Sequence, residues 1–318
     1  MSGKRIVVTG GAGFIGSHLV DALLRDARVA HVRVVDDLSN GYRSNVTLFE
    51  GNPKYEFVET DICDFDRMVE LTAGFDLISH QAALGSVPRS LKNPLRTNAV
   101  NIDGTVNILY AAVRNKVQRV VLACSSSTYG DSTALPKKEA QIGKPLSPYA
   151  VTKLANELYA EVFHKSYGLD FVGLRYFNVF GPRQYSDNPY AAVIPLFCKA
   201  FLSGTSPTVH GDGLQSRDFT YVDNAVQANV LALFTERPEA LNQVYNVACG
   251  EQTTLLDMLA HLRQLSGKNL EAVHVPAREG DVRHSRADIS KIQSLLGYQP
   301  TVLFAEGLEK VYRWYGTV

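Results

Sequence analysis

Lys4-Arg5-Ile6-Val7-Val8-Thr9-Gly10-Gly11-Ala12-Gly13-Phe14-Ile15-Gly16-Ser17-His18-Leu19 is the stretch that decides the fold. Ile6-Val7-Val8 is an apolar run long enough for a buried strand, and it stops at Thr9, where the glycines begin. Beyond them Ile15, Leu19, Ala22 and Leu23 recur at helical spacing. The glycines therefore occupy a strand-to-helix turn. Their spacing, Gly10-x-x-Gly13-x-x-Gly16, differs from the G-x-G-x-x-G common in dinucleotide sites. In this context it still predicts an anion seat. Glycine allows close backbone approach, and the free N–H groups at the helix start face a pyrophosphate.

The wider chain sets bounds on this reading. At 318 residues it can hold one large α/β unit or two packed domains. Lys plus Arg equals Asp plus Glu at 32 each, and no basic run occurs, which argues against bulk nucleic acid or an acidic membrane as partner. Cys63, Cys124, Cys198 and Cys249 are scattered, with no CxxC and no zinc spacing, so no metal is expected. A reduced, cytoplasmic protein is the simplest expectation. The early first strand leaves no room for a signal peptide, and no run approaches the ~20 apolar residues of a membrane span.

Taken in order, strands are expected at 31–35, 55–58, 75–79, 117–123 and 169–174. Asp36-Asp37 ends the second of the sheet's strands, about 20 residues after the last glycine, where a carboxylate accepts ribose hydroxyls and repels a 2′-phosphate. NAD is thus expected rather than NADP. Leu38-Ser39-Asn40-Gly41 is a turn beside it. Asp61-Ile62 follows the third strand; Asp61 could hold an adenine amino group or equally cap the helix near Asp64. The fourth strand runs into His80-Gln81-Ala82-Ala83, whose small residues suit backbone approach to a dinucleotide. His80 could be a base or metal ligand, but a structural hydrogen-bonding role is the stronger reading.

Gly85-Ser86-Val87-Pro88-Arg89-Ser90 reads as a polar, proline-broken loop, and one long helix runs from Pro94 to about Lys116. Cys124-Ser125-Ser126-Ser127 ends the fifth strand. Ser147-Pro148 opens the next helix as N-cap and first turn. Strand and helix alternate throughout, which predicts a doubly wound parallel Rossmann sheet, of class α/β. After Tyr176 the chain turns Gly-, Pro- and polar-rich, which suggests a smaller interleaved α/β substrate-binding domain. The expected division is 1–176 plus 217–246 for the NAD-binding part and 177–216 plus 247–318 for the other.

Tyr149 and Lys153 stand at i and i+4, on one helix face. A tyrosine of pKa ~10 is a poor base near neutrality. A nearby ammonium and the positive helix N-terminus both favour its phenolate, so a lowered pKa is expected. Ser125, at the preceding strand end, can bond the same substrate hydroxyl. Such a trio suits removal of a hydroxyl proton while hydride leaves the same carbon for NAD.

These motifs, with LRYFNVFGPRQ, SRDFTYVDN and the loop Arg278-Glu279-Gly280-Asp281, give the chain its resemblance. It resembles the extended short-chain dehydrogenase/reductases over nearly its whole length, and within them the nucleotide-sugar 4-epimerases. It is most similar to the UDP-N-acetylglucosamine 4-epimerases, including those that also take uronic acid forms. The resemblance implies Ser125, Tyr149 and Lys153 as catalytic residues and a transient 4-keto sugar. It implies cofactor contacts from Gly10, Gly13, Phe14, Ile15, Gly16, Asp36, Asp37, Leu38, Ser39, Asn40, Gly41, Asp61, Ile62, Gln81, Ala82, Ala83, Asn98, Tyr176 and Val179. For the substrate it implies Arg217 and Arg278 on the diphosphate and Asp281 on a ribose hydroxyl. Backbone around Thr208, Val209 and His210 is implied for uracil, with Arg89, Ser127 and Val193 also at the sugar nucleotide.

Substrate choice is implied by a box of six positions, here Gly85, Ser86, Asn178, Gln184, Ala192 and Ser285. A bulky tyrosine at the last restricts family members to plain hexoses; Ser285 leaves room for an acetamido group. A 4,6-dehydratase would need an Asp-Glu pair where Ser126-Ser127 stand. UDP-glucose 4-epimerase, UDP-glucuronate decarboxylase and a silent NAD-binding scaffold compete with this reading. The helices 98–116 and 149–167 carry apolar residues beyond one core face, and the family pairs them into a four-helix bundle, so a homodimer is expected.

Overall fold

Alternation along the first strand sorts the chain onto two faces of one sheet. The computed structural model, which describes residues 3–185, 192–277 and 282–317, places Ile6 and Val8 on one face and Val7 on the other. Seven strands form this sheet: β1 (Lys4–Thr9), β2 (Val29–Asp36), β3 (Tyr55–Glu59), β4 (Leu77–His80), β5 (Arg119–Ser125), β6 (Asp170–Tyr176) and β7 (Gln243–Val247). Their order is β7-β6-β5-β4-β1-β2-β3, and every pairing is parallel. Val8 lies opposite Val34 on one side and Ser79 on the other. The order reverses between β1 and β4, so a crevice opens there beyond the strand ends.

The longer helices are α1 (Phe14–Arg25), α2 (Phe65–Thr72), α3 (Gly104–Arg114), α4 (Pro148–Tyr167), α5 (Val193–Ser203), α6 (Val222–Phe234), α7 (Leu255–Ser266) and α8 (Phe304–Tyr315). Leu19, Val20 and Leu23 of α1 and Val222 and Ala225 of α6 cover the Ile6/Val8 face. Met68, Ile108, Leu109, Ala160 and Phe163, from α2, α3 and α4, cover the Val7 face with Val35, Ile78 and Val120. Each fully buried Val, Leu, Ile or Met among them contributes roughly 1.5–3 kcal/mol. This is the doubly wound α/β sheet expected. Among the described residues no helix is long and apolar enough to cross a membrane.

β7, at the end of the 217–246 stretch assigned to the NAD-binding part, pairs with β6 in the central sheet. The structure departs from the sequence reading in three places. Val87–Lys92 is a short helix, not a loop: Ser86 caps it by accepting from the Arg89 N–H, and Pro88 sits in the first turn, where its missing donor costs nothing. The helix after Pro94 contains a π-helical stretch, Ala99–Asp103, before α3. β6 continues to Tyr176, which takes Arg175 inside. There its guanidinium donates to both carboxylate oxygens of Glu157 on α4, at 2.9 and 2.7 Å.

Outside the sheet, short strands tie the later segments together. Val179–Phe180 pairs with Thr220–Tyr221, Thr208–His210 with Val273–Val275, and Ser216–Arg217 with Thr253–Thr254. Helices α7 and α8 pack on α5 beside them.

Candidate active site

A cavity of about 440 Å³ opens at the β1/β4 reversal. Its floor is the glycine turn. A Cβ on Gly16 would stand 2.1 Å from the Gly10 carbonyl oxygen, so α1 lies against the turn as closely as backbone allows. Gly10 has φ +72°, and a Cβ there would meet Ala82 N at 2.5 Å. No side chain caps α1 at Gly13, which leaves its first-turn N–H groups for an anion. Asp36 accepts from Ala12 N at 3.0 Å and Leu38 N at 2.9 Å, which fixes the turn, and burial pushes its carboxyl up. Asp37 holds Ser39 by its N–H and hydroxyl. Glycine cradle, uncapped helix and strand-end carboxylates together fit a dinucleotide with free ribose hydroxyls.

The cavity brings together Gly10, Gly13, Phe14, Ile15, Gly16, Asp36, Asp37, Ser39, Asn40, Gly41, Asp61, Ile62, Gln81, Ala82, Ala83, Gly85, Ser86, Arg89, Tyr149, Lys153 and Tyr176. Asp61 does not cap α2; Asp64 does, by accepting from Arg67 N. Asp61 instead accepts from Cys63 N at 2.9 Å and from Arg96 at 2.9 Å. Leu38 and Asn98 are not among the described residues lining this cavity. Leu38 has φ +57° in the turn, and Asn98 ends an exposed helical stretch.

Ser147 caps α4 through Ala150 N at 3.2 Å, and Pro148 follows it in the first turn. That start aims Tyr149 and Lys153, one turn apart, at the carboxyl end of β5. Lys153 donates from Nζ to the Ala123 carbonyl at 2.7 Å, and burial lowers its pKa to about 8. The Tyr149 phenol differs from expectation. Burial raises its pKa, and only a hydrogen bond with Ser125 pulls the other way. The Lys153 ammonium donates to a backbone carbonyl rather than to the phenol.

His80 is a core residue. It is buried between the hydroxyls of Thr9 at 2.7 Å and Thr105 at 3.0 Å, and burial holds it down to about 3, so it is neutral. Gln81 and Tyr176 are locked by a residue the sequence reading missed. Asn229, buried in α6, donates to the Tyr176 hydroxyl at 2.7 Å and accepts from Gln81 Nε2 at 2.9 Å. The Tyr176 hydroxyl donates onward to Gln81 Oε1 at 3.0 Å. An asparagine in the apolar run Ala225–Leu233 was the available signal. Tyr42, Thr60 and Tyr185 also line the cavity, though no sequence motif marks them, and so does Arg183 of the LRYFNVFGPRQ stretch.

A second cavity, about 520 Å³, is lined by Asn178, Val179, Val193, Thr208, His210, Gln215 and Arg217. Each cavity is nucleotide-sized. Gln184 and Ala192 line both, so the two meet there. Val179, expected at the cofactor, stands in this second cavity. Val209 is fully buried in its strand, and Gln215 donates to the His210 carbonyl at 2.6 Å. Ser127 Oγ is buried without a partner. Ser285 lines neither cavity among the described residues; its N–H donates to Ser216 O at 3.1 Å, next to Arg217. Arg278 and Asp281 lie outside the described residues.

Comparison with known proteins adds to this geometry. A family model described as NAD dependent epimerase/dehydratase matches residues 6–248. A UDP-glucose 4-epimerase of Mycolicibacterium smegmatis is 38% identical over 314 residues, 98% of each chain. The solved UDP-N-acetylglucosamine 4-epimerase from Methanobrevibacter ruminantium M1, in complex with UDP-N-acetylmuramic acid, superposes with TM-score 0.93 at 40% identity, covering 100% of this chain and 99% of that one. The UDP-glucuronic acid 4-epimerase from Bacillus cereus, in complex with UDP-glucuronic acid and NAD, gives 0.91 at 35% identity, covering 98% and 99%.

Proposed function

Because this chain belongs to the NAD dependent epimerase/dehydratase family, with NAD as its cofactor, we propose that it interconverts UDP-GlcNAc and UDP-GalNAc by inverting C4. The observation that carries this is the half-buried Tyr149 with Lys153 one turn further along α4, both lining the dinucleotide cavity at the end of β5, where Ser125 stands. Bound NAD supplies the acceptor and donor of the C4 hydride. Tyr149 takes the C4 hydroxyl proton, while Ser125 hydrogen-bonds the same oxygen. The burial that raises the phenol also makes its anion a strong base. The resulting 4-keto sugar would turn over within the site, and Tyr149 would return the proton to the same oxygen. Nothing is oxidised in net, so turnover would consume no cofactor.

Arg217 in the second cavity is the group for the diphosphate, with Arg278 and Asp281 completing the grip. Gly85, Ser86, Asn178, Gln184, Ala192 and Ser285 are all small or polar, which favours an acetamido sugar; uronic acid forms remain within the same reading. A cytoplasmic homodimer goes with it. Val151, Leu158 and Val162 of α4 leave one face apolar and exposed, and Leu95 nearby is 83% exposed. The four-helix pairing would cover them. The test is product analysis after incubating the purified protein with UDP-GlcNAc, without added NAD. UDP-GalNAc is the expected product. Turnover of UDP-glucose alone assigns a plain-hexose epimerase, and carbon dioxide release from UDP-glucuronate assigns a decarboxylase.

A further inference from the structure

Asp218 follows Arg217 directly and points the opposite way, into the interior, where it is fully buried. Its carboxylate gathers three backbone N–H groups from two other segments. Oδ1 accepts from Cys249 N at 3.0 Å, and Oδ2 accepts from Gly250 N at 3.0 Å and Ala287 N at 3.1 Å. The first two donors follow β7. The third belongs to the segment 283–288, which carries Ser285. That segment is also laced to residue 216 by Ser216 N to Arg283 O and Ser285 N to Ser216 O. On its other edge Lys137 N donates to Arg286 O, and Asp288 N to Lys137 O. Ala287 itself packs with Tyr129, Phe177 and Ala248.

These links already hold the segment to the body of the protein. Desolvating a carboxylate is costly, and its return must be something apolar packing cannot give. Asp218 joins the segment bearing Ser285 to the strand bearing Arg217 and to the end of the central sheet at one point. We propose that Asp218 is a positioning residue for the sugar-nucleotide end of the site, fixing where Ser285 and Arg217 stand relative to each other without touching substrate. This rests on the reading of the second cavity as the UDP-sugar site.

The charge on Asp218 matters to the tie. Burial pushes its pKa up to about 7, against the three N–H bonds, and Glu251 pushes the same way. A proton on either oxygen would set an O–H donor against a backbone N–H. Other ionisable groups around it are Cys249 on the turn, Tyr298, and Arg283, His284, Arg286 and Asp288 on the segment, with Arg217 beside it. His284 bonds Ser216 Oγ at 2.7 Å, so a His284→Gln variant separates its contribution.

The test is Asp218→Asn, made in the full chain, with UDP binding by calorimetry, steady-state kinetics on UDP-GlcNAc, NAD content and a pH profile. The amide keeps the shape but replaces one acceptor by a donor. The expected result is UDP affinity and KM weakened about tenfold, with kcat within about twofold and NAD content unchanged. The wild-type KM should rise as pH falls through about 7, in His284→Gln as well, and this limb should vanish in Asp218→Asn. Unchanged UDP affinity, or parallel loss of NAD, kcat and affinity, overturns the inference. Wild-type protein that binds no UDP overturns the site reading together with it. If Asp218→Asn does not fold, the wild-type profile decides: a KM flat through neutrality overturns the proposal.

Discussion

Replacing Gly16 by alanine tests how closely the cofactor seat depends on contact between α1 and the glycine turn. The added Cβ would lie 2.1 Å from Gly10 O, 2.8 Å from Gly10 C and 2.9 Å from Gly11 Cα. All three are backbone atoms, so no side chain can swing aside. Restoring an ordinary contact moves α1 off the turn by ~1 Å, a displacement that costs about 100-fold when reacting groups depend on it. Overpacking of this kind costs about 3 kcal/mol. At roughly 2.1 cal/mol/K of unfolding entropy per residue, 318 residues give about 1.5 °C of Tm per kcal/mol. Gly16→Ala should therefore lose about 4 °C in Tm, most of its bound NAD, and about 100-fold in turnover.

Gly168→Ala is the control. That glycine ends α4 at φ +71° with open space around it, so alanine meets strain but no clash. It should cost about 1 kcal/mol and leave NAD content and turnover alone. Differential scanning calorimetry, with NAD measured by absorbance after denaturation, reads both variants. Gly16→Ala protein that keeps its NAD and turns over normally would refute the close-contact argument.

Tyr149→Phe should retain NAD and a near-normal Tm, but lose about 10²–10⁴ in turnover; measurable epimerisation at the wild-type rate would remove the phenol from the mechanism. Ser285→Tyr should depress kcat/KM on UDP-GlcNAc selectively over UDP-glucose, and equal losses on both would show that position 285 does not gate the pocket. For His80 the sign follows from burial: it stays neutral in the fold down to about 3, whereas the unfolded chain takes up the proton below about 6.5. Stability should therefore fall as pH drops from about 6.5 toward 3, and urea midpoints across that range should flatten in His80→Asn.

Legibility in the sequence followed the range of the forces involved. The strand cores and the glycine turn were readable because apolar runs and φ-permissive residues act locally. So was the start of α4, from Ser147 and Pro148. The same signals stand at Ser86 and Pro88, yet the polar composition of Val87–Lys92 resembles a loop and masks them. The buried groups that act over long separations were not legible. Asp218 and Asn229 bridge segments far apart in the chain, the Glu157–Arg175 pair joins α4 to the next strand, and nothing local marks which polar residue will be enclosed. The raised phenol of Tyr149 belongs with these: pair spacing showed a cation nearby, but not that Lys153 would be engaged by Ala123 O.

The pairing of β6 with β7 has a consequence for synthesis. About 70 residues separate the two strands, and until the later one leaves the ribosome β6 presents an unpaired row of backbone groups. At roughly 5–20 residues per second that interval lasts several seconds, during which the nascent sheet has a ready template for intermolecular pairing. Chains cut short between residues 176 and 243 should keep the nucleotide motifs and still precipitate.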